Sequence, residues 1–146
     1  MPTHTGRNAE RATQGRRGPR ADLVRPEVAS AALADGLKFL KEQWKWNGSK
    51  IARVLHLSPT TVNAWLRNEE VPVSGATLSP EIEAVVHLIA IHRSLGAMFA
   101  DPFHQREWLH TEHPDLGISP EEKMSQSMAE LISLRQYLDY ARGRGA

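Results

Sequence analysis

The stretch SKIARVLHLSPTTVNAWLRN, Ser49–Asn68, carries two short helical patterns separated by a tight turn. Two such helices crossing at a sharp angle around a tiny core make a helix-turn-helix. Ala52 is small where the helices must meet, and Leu55, Leu57, Val62 and either Trp65 or Leu66 supply apolar contacts at suitable offsets. Ser58 is a favoured N-cap and Pro59 suits the first helical position, so the second helix starts where the turn must finish. Its remaining side chains, Thr60, Thr61, Asn63, Ala64 and Arg67, are short, polar or basic. Those types fit a major groove: Asn pairs with adenine, Thr meets a phosphate or a thymine methyl, and Arg takes guanine or phosphate. The helix N-terminus at Ser58 itself favours a phosphate. Lys50 and Arg53 sit on the preceding helix, where contacts to the nucleic-acid backbone are expected. The plain alternative is an ordinary helical hairpin with a capped second helix. His56 stands where such turns usually carry Gly. Either it adopts a left-handed conformation, at a cost on the order of 1 kcal/mol, or the turn differs.

Charge reinforces the nucleic-acid reading. The whole chain carries a net charge of only +1 over 146 residues, but the charge is unevenly spread. Residues 37–68 hold Lys38, Lys41, Lys45, Lys50, Arg53 and Arg67 against Glu42 alone. Residues 1–25 hold six Arg against Glu10 and Asp22, whereas residues 69–146 hold twelve acids against six bases. A basic front and an acidic back point to two partners of different charge, with a polyanion the natural partner of the front.

Outward from the central stretch, residues 1–20 are rich in Gly, Arg and polar side chains and nearly lack large apolar ones. Such a segment buries too little surface to offset its ordering entropy. It reads as a solvated tail, or as a basic arm on DNA. Residues 27–46 repeat Ala31, Leu33, Leu37, Leu40 and Trp44 near helical spacing, giving one or two helices, with Gly36 a possible break. Asn47-Gly48 reads as a stop and turn. Trp44 and Trp46 read as core anchors rather than base-stacking groups. Residues 71–78 look like a linker. Ser79-Pro80 then opens a long helix to about Gly96, whose stripe of Ile82, Val85, Val86, Ile89 and Arg93, flanked by Leu88, Ile91 and Leu95, is either a core face or a dimer face. Asp101-Pro102 opens a short helix carrying Trp108 and Leu109, and His110–Gly117 is a loop. Ser119-Pro120-Glu121-Glu122 combines a cap, a first-turn proline and a capping box. Helix continues from there to Tyr140, with a break expected near Ser133. No segment alternates convincingly with period two, so the chain reads as all-α: a basic arm over 1–25, a helix-turn-helix bundle over 26–70 and a small helical domain over 79–146.

The first half of this string resembles the Xre-type helix-turn-helix. The second half resembles the toxin-binding domain of the Xre/MbcA/ParS antitoxin family. The residues that carry the second resemblance are Trp108-Leu109, the loop His113-Pro114-Asp115-Leu116-Gly117, then Ser119-Pro120-Glu121-Glu122, and a tail ending Tyr137-Leu138-Asp139-Tyr140-Ala141-Arg142-Gly143. The sequence departs from the family at Ile118, where a second Gly after Leu-Gly is common. The resemblance implies the antitoxin of a type II toxin–antitoxin pair. Such a protein dimerises, represses its own operon and covers the active-site entrance of a RES-type, NAD-consuming toxin. It implies a toxin-binding surface that includes Trp108, Leu116, Arg142, Gly143 and Arg144. The basic C-terminus either reaches into a neighbouring pocket or simply frays. The alternative is a dimeric helix-turn-helix regulator with no toxin partner.

Other chemistry finds little footing. With no cysteine there is no disulfide and no thiolate nucleophile or metal ligand. His104, His110, Glu112 and His113 complete no ligand spacing, so no metal is expected. Glu121-Glu122 in a first helical turn complements the helix dipole more simply than it does acid–base work. No nucleophile elbow accompanies the Ser and His residues. We therefore expect no enzyme and no cofactor. Apolar runs are far shorter than the roughly 20 residues of a membrane helix, and a soluble cytoplasmic protein is the expectation.

Overall fold

The fold follows from repeated helix-start signals. In the computed structural model, residues 25–73 and 78–145 are described, with side chains described as far as Gly143. The expected arm, except for Arg25, the middle of the expected 71–78 linker, and the Arg144 side chain lie outside the described residues. The described residues form seven helices and no strand. They are α1 (Pro26–Trp44), α2 (Gly48–Leu55), α3 (Pro59–Asn68), α4 (Pro80–Met98), α5 (Pro102–His110), α6 (Pro120–Gln126) and α7 (Met128–Gly145). The all-α expectation holds.

Five of the seven begin with proline in the first turn, where its missing N–H costs nothing. Four of these have a capping side chain directly before the proline: Ser58, Ser79, Asp101 and Ser119 each accept a backbone N–H of the first turn. Asn47 does the same for α2, accepting from the Lys50 N–H at 2.8 Å. Asn47-Gly48 is thus a start signal, and the stop lies two residues earlier at Lys45. Ser127 explains why the break expected near Ser133 falls six residues sooner. It is fully extended (φ −166°, ψ 165°) between α6 and α7, and its hydroxyl accepts the Glu130 N–H at 3.1 Å. Nor does Gly36 break α1. Its role is close approach, for a Cβ there would lie 2.7 Å from Cδ1 of Ile89 on α4.

The first three helices all end the same way. Lys45, His56 and Glu69 each take a left-handed conformation (φ 54°, 61° and 56°). In each case the following N–H reaches back five residues: Trp46 to Lys41, Leu57 to Ala52, Glu70 to Trp65. This is the Schellman closure, usually made with glycine. Its hydrophobic partner is present at two of the ends, where Trp46 is buried and Leu57 packs against the core.

One apolar core runs through the molecule from Ala34, Leu37 and Leu40 on α1, through Ile51, Ala52, Val54 and Leu55 on α2, to Leu131, Leu134 and Leu138 on α7. Helix α4 is its axis, packing between α1 and α7. It buries Ile82, Val85, Leu88, Ile91, His92, Ser94 and Leu95, while Arg93 is exposed. The stripe read from sequence is therefore a core face, turned slightly from the expected centre. Trp44 joins the two halves of the chain: its Nε1 donates to Oε1 of buried Gln105 on α5 at 3.0 Å, and Gln105 Nε2 donates to the Phe99 carbonyl. Trp44 also lies against Trp46 and His92, with ring centroids 4.7 and 5.3 Å away. Both tryptophans are core anchors. No single described helix is long and apolar enough to cross a membrane.

Candidate nucleic-acid interface

Helix α3 is held from one side only. Its substantial packing is with α2 and α1, through buried Val62 and half-buried Trp65 and Leu66. Both alternatives left open at 65 and 66 thus contribute. The opposite stripe, Thr60, Asn63 and Arg67, follows i, i+3, i+7 spacing and is exposed along its length. Ser58 and Thr61 are committed to the start of the helix. Ser58 Oγ accepts the Thr61 N–H at 3.2 Å and shares a 2.8 Å hydrogen bond with the half-buried Thr61 hydroxyl.

Asn63 is additionally seated. A Cβ on Gly48 would lie 2.0 Å from Asn63 Oδ1. The first turn of α2 therefore touches the exposed face of α3, and only a glycine at 48 leaves the carboxamide where it is. Sequence reasoning treated Gly48 as part of a turn; its closeness to Asn63 has no local signature.

His56 takes the left-handed conformation that its position demands, and its side chain does work a glycine cannot. Its Nε2 donates to the Met124 carbonyl of α6 at 2.9 Å. The turn of the helix-turn-helix is thereby tied to the second half of the chain.

The two basic residues expected on α2 face the same way, towards acids. Lys50 Nζ lies 2.9 Å from Glu121 Oε2 and 5.4 Å from the Trp46 ring centroid. Glu121 is mostly buried, its side chain 13% exposed, and also meets His110 Nδ1 at 3.4 Å. Arg53 is exposed and lines, with Lys50, a cleft of about 450 Å³ whose other wall includes His110, Glu112, Ser119, Glu121, Glu122 and Ser125. Glu121 and Glu122 sit in the first turn of α6 as a dipole argument requires, and Ser119 Oγ accepts the Glu122 N–H. That Glu121 also reaches Lys50 was invisible in sequence, because the partners are 71 positions apart. At the end of α3, Glu69 pairs with Lys38 at 2.5 Å. The bond raises the Lys38 pKa and lowers that of Glu69.

The residues implied for toxin binding lie on α5, on the loop that follows it and on α7. Trp108 is half-buried and its ring tilts over His113, with centroids 4.9 Å apart. His113 Nε2 donates to the Trp108 carbonyl at 2.8 Å. The loop turns at Gly117 (φ 79°), whose N–H, like that of half-buried Leu116, donates to the His113 carbonyl. Tyr137 on α7 donates its hydroxyl to Asp115 at 3.3 Å, and burial followed by the Asp115 carboxylate raises its pKa. Arg142 folds back to Ser94 on α4, with Nη1 3.2 Å from Oγ, and exposed Gly143 follows it. Helix α7 persists to Gly145, five residues beyond the expected end. The described residues contain no group of three or more His, Cys, Asp or Glu suited to holding a metal ion.

No protein-family model matches the chain, and no curated protein matches it significantly.

Proposed function

We propose that this chain is a DNA-binding antitoxin. In this reading α3 enters the major groove of an operator, and the second half occludes a RES-type toxin. The observation that carries the DNA half is the outward stripe of Thr60, Asn63 and Arg67 on a helix whose opposite face alone is packed. Arg67 and Asn63 supply base or phosphate contacts, Thr60 a phosphate or thymine-methyl contact, and the capped N-terminus of α3 favours a phosphate. A two-fold dimer would set two such helices about 34–36 Å apart on a palindromic site. The toxin half rests on the resemblance carried by Trp108-Leu109, His113–Gly117 and Ser119–Glu122. It asks for occlusion and no chemistry by this chain.

Duplexes selected from a random library provide the test of DNA binding. Asn63→Ala with Arg67→Ala should lose selected-site affinity by at least tenfold, a bidentate base contact being worth about 1–3 kcal/mol. Unchanged binding by the double variant removes the assignment. Co-expression with the toxin encoded beside it should restore growth, and failure leaves a DNA-binding regulator. That second reading is favoured by one observation: Arg142 is bonded within its own chain, to Ser94.

A further inference from the structure

The cations of α2 and the reading face of α3 are neighbours. Asn63 rests on Gly48, in the first turn of α2, and Lys50 is two residues further on. A duplex seated on α3 would pass the first turn of α2, to which Lys50 belongs. Yet the Lys50 ammonium is already held by Glu121, at 2.9 Å. Across the cleft that Arg53 lines stand Glu112 and Glu122 besides Glu121. The second half of the chain thus presents carboxylates to the α2 cations that a phosphate would otherwise meet.

We propose that Glu121 is an intramolecular stand-in for a DNA phosphate, which holds Lys50 back and lowers the affinity of the resting protein for DNA. The inference rests on the DNA-binding reading above and names a regulation of that same site. Exchange of Glu121 for phosphate is the step that lets Lys50 engage. Glu121 is well suited to the part. It is fixed in the first turn of α6, below the Ser119 cap. His110 Nδ1 meets the same carboxylate oxygen at 3.4 Å. The His56 bond to Met124, on the same helix, keeps α6 in register with the turn between α2 and α3. Anything that draws α6 away from α2 therefore frees Lys50.

The test is fluorescence anisotropy of the full chain on one duplex selected by the wild type, measured across a salt series. Glu121→Gln keeps the shape and removes the charge. It should bind about two- to fivefold more tightly, the range expected when an ion pair whose lysine is open to solvent no longer competes. Its plot of log affinity against log salt should steepen by about 0.9, one added phosphate contact. Lys50→Gln should weaken binding less in the wild type than in the Glu121→Gln background. Should Glu121→Gln fail to fold, Glu121→Asp, which withdraws the carboxylate by one methylene, makes the same comparison. Equal affinity and slope for wild type and both Glu121 variants, or an equal Lys50→Gln loss in both backgrounds, overturns the proposal. An intact Arg67-dependent interaction alongside such a result would leave the DNA reading standing. Absence of any salt-dependent binding by the wild type would remove both.

Discussion

Position 56 sets two terms of similar size against each other, and a short substitution series separates them. His56 is left-handed at φ 61°, which costs a side-chain-bearing residue on the order of 1 kcal/mol relative to glycine. Its Nε2 bond to the Met124 carbonyl, at 2.9 Å, returns about 1 kcal/mol, the usual net value of such a bond. Gly relieves the strain, loses the bond and adds about 0.4–1 kcal/mol of unfolded-state entropy. His56→Gly should therefore lie between neutral and about 1 kcal/mol destabilised. His56→Ala keeps the strain and loses the bond, so it should be the least stable, by at least about 1 kcal/mol. His56→Asn, whose side chain tolerates this backbone, should fall between them. For a chain of this length 1 kcal/mol corresponds to roughly 3 °C in Tm, and urea midpoints at constant m give the free energies. A His56→Gly protein more stable than wild type would show that the bond contributes little, because with no bond to lose the remaining terms run from neutral to about 0.6 kcal/mol stabilised. A Gly variant less stable than the Ala variant would refute the strain argument, since without strain to relieve only the added entropy separates them.

Three further outcomes follow from the geometry. Gly48→Ala places a methyl 2.0 Å from Asn63 Oδ1, and since only a side-chain end must move, the fold should survive while the preferred base opposite Asn63 changes. Selection of bound duplexes by the variant tests this, and an unchanged base ranking would count against it. The Ser30 hydroxyl is buried without a hydrogen-bond partner, so Ser30→Ala should raise stability by about 1 kcal/mol, read as a higher urea midpoint; a lower one would mean the hydroxyl is satisfied. His92 is buried against Trp44 and Phe39 and donates to Gln43 at 2.6 Å. Burial first, and Arg93 second, lower its pKa below 6.5. Its neutral form therefore contributes stability above pH 6.5, which is lost as the pH falls through the lowered folded value. Urea midpoints should drop between pH 7.5 and 5.5, and more steeply for wild type than for His92→Gln.

What the sequence announced was mostly local. The pairs Ser58-Pro59, Ser79-Pro80, Asp101-Pro102 and Ser119-Pro120 placed four helix starts correctly, because a cap and a first-turn proline act within one turn of chain. Ser127, three residues before Glu130, carries a cap signal of the same kind but without a proline after it, and the break falls there rather than near Ser133. Gly36 looked like a breaker because its neighbour is Ile89, 53 residues away, and nothing nearby reveals that approach. Thr60, Asn63 and Arg67 were legible from side-chain type, although Thr61 and Ala64, of the same short or polar type, prove half-buried. What Lys50 and Arg53 face was not legible, because charge balance along a chain says nothing of which acids fold back onto which bases. The residues implied for toxin binding were carried by resemblance, and Arg142 illustrates the limit: its Ser94 partner lies on another helix.

The hydrogen bond from Trp44 to Gln105 has a consequence for dissection of the protein. An excised fragment spanning residues 26–70 would leave that indole N–H unanswered and strip Leu37, Leu40 and Ile51 of the wall that α4 to α7 provide. The segment that offers Thr60, Asn63 and Arg67 to solvent is thus not an autonomous unit that merely rides on the remainder. It takes its rigidity from α4 to α7, and a displacement of those helices reaches the exposed stripe of α3 through shared packing rather than through a tether.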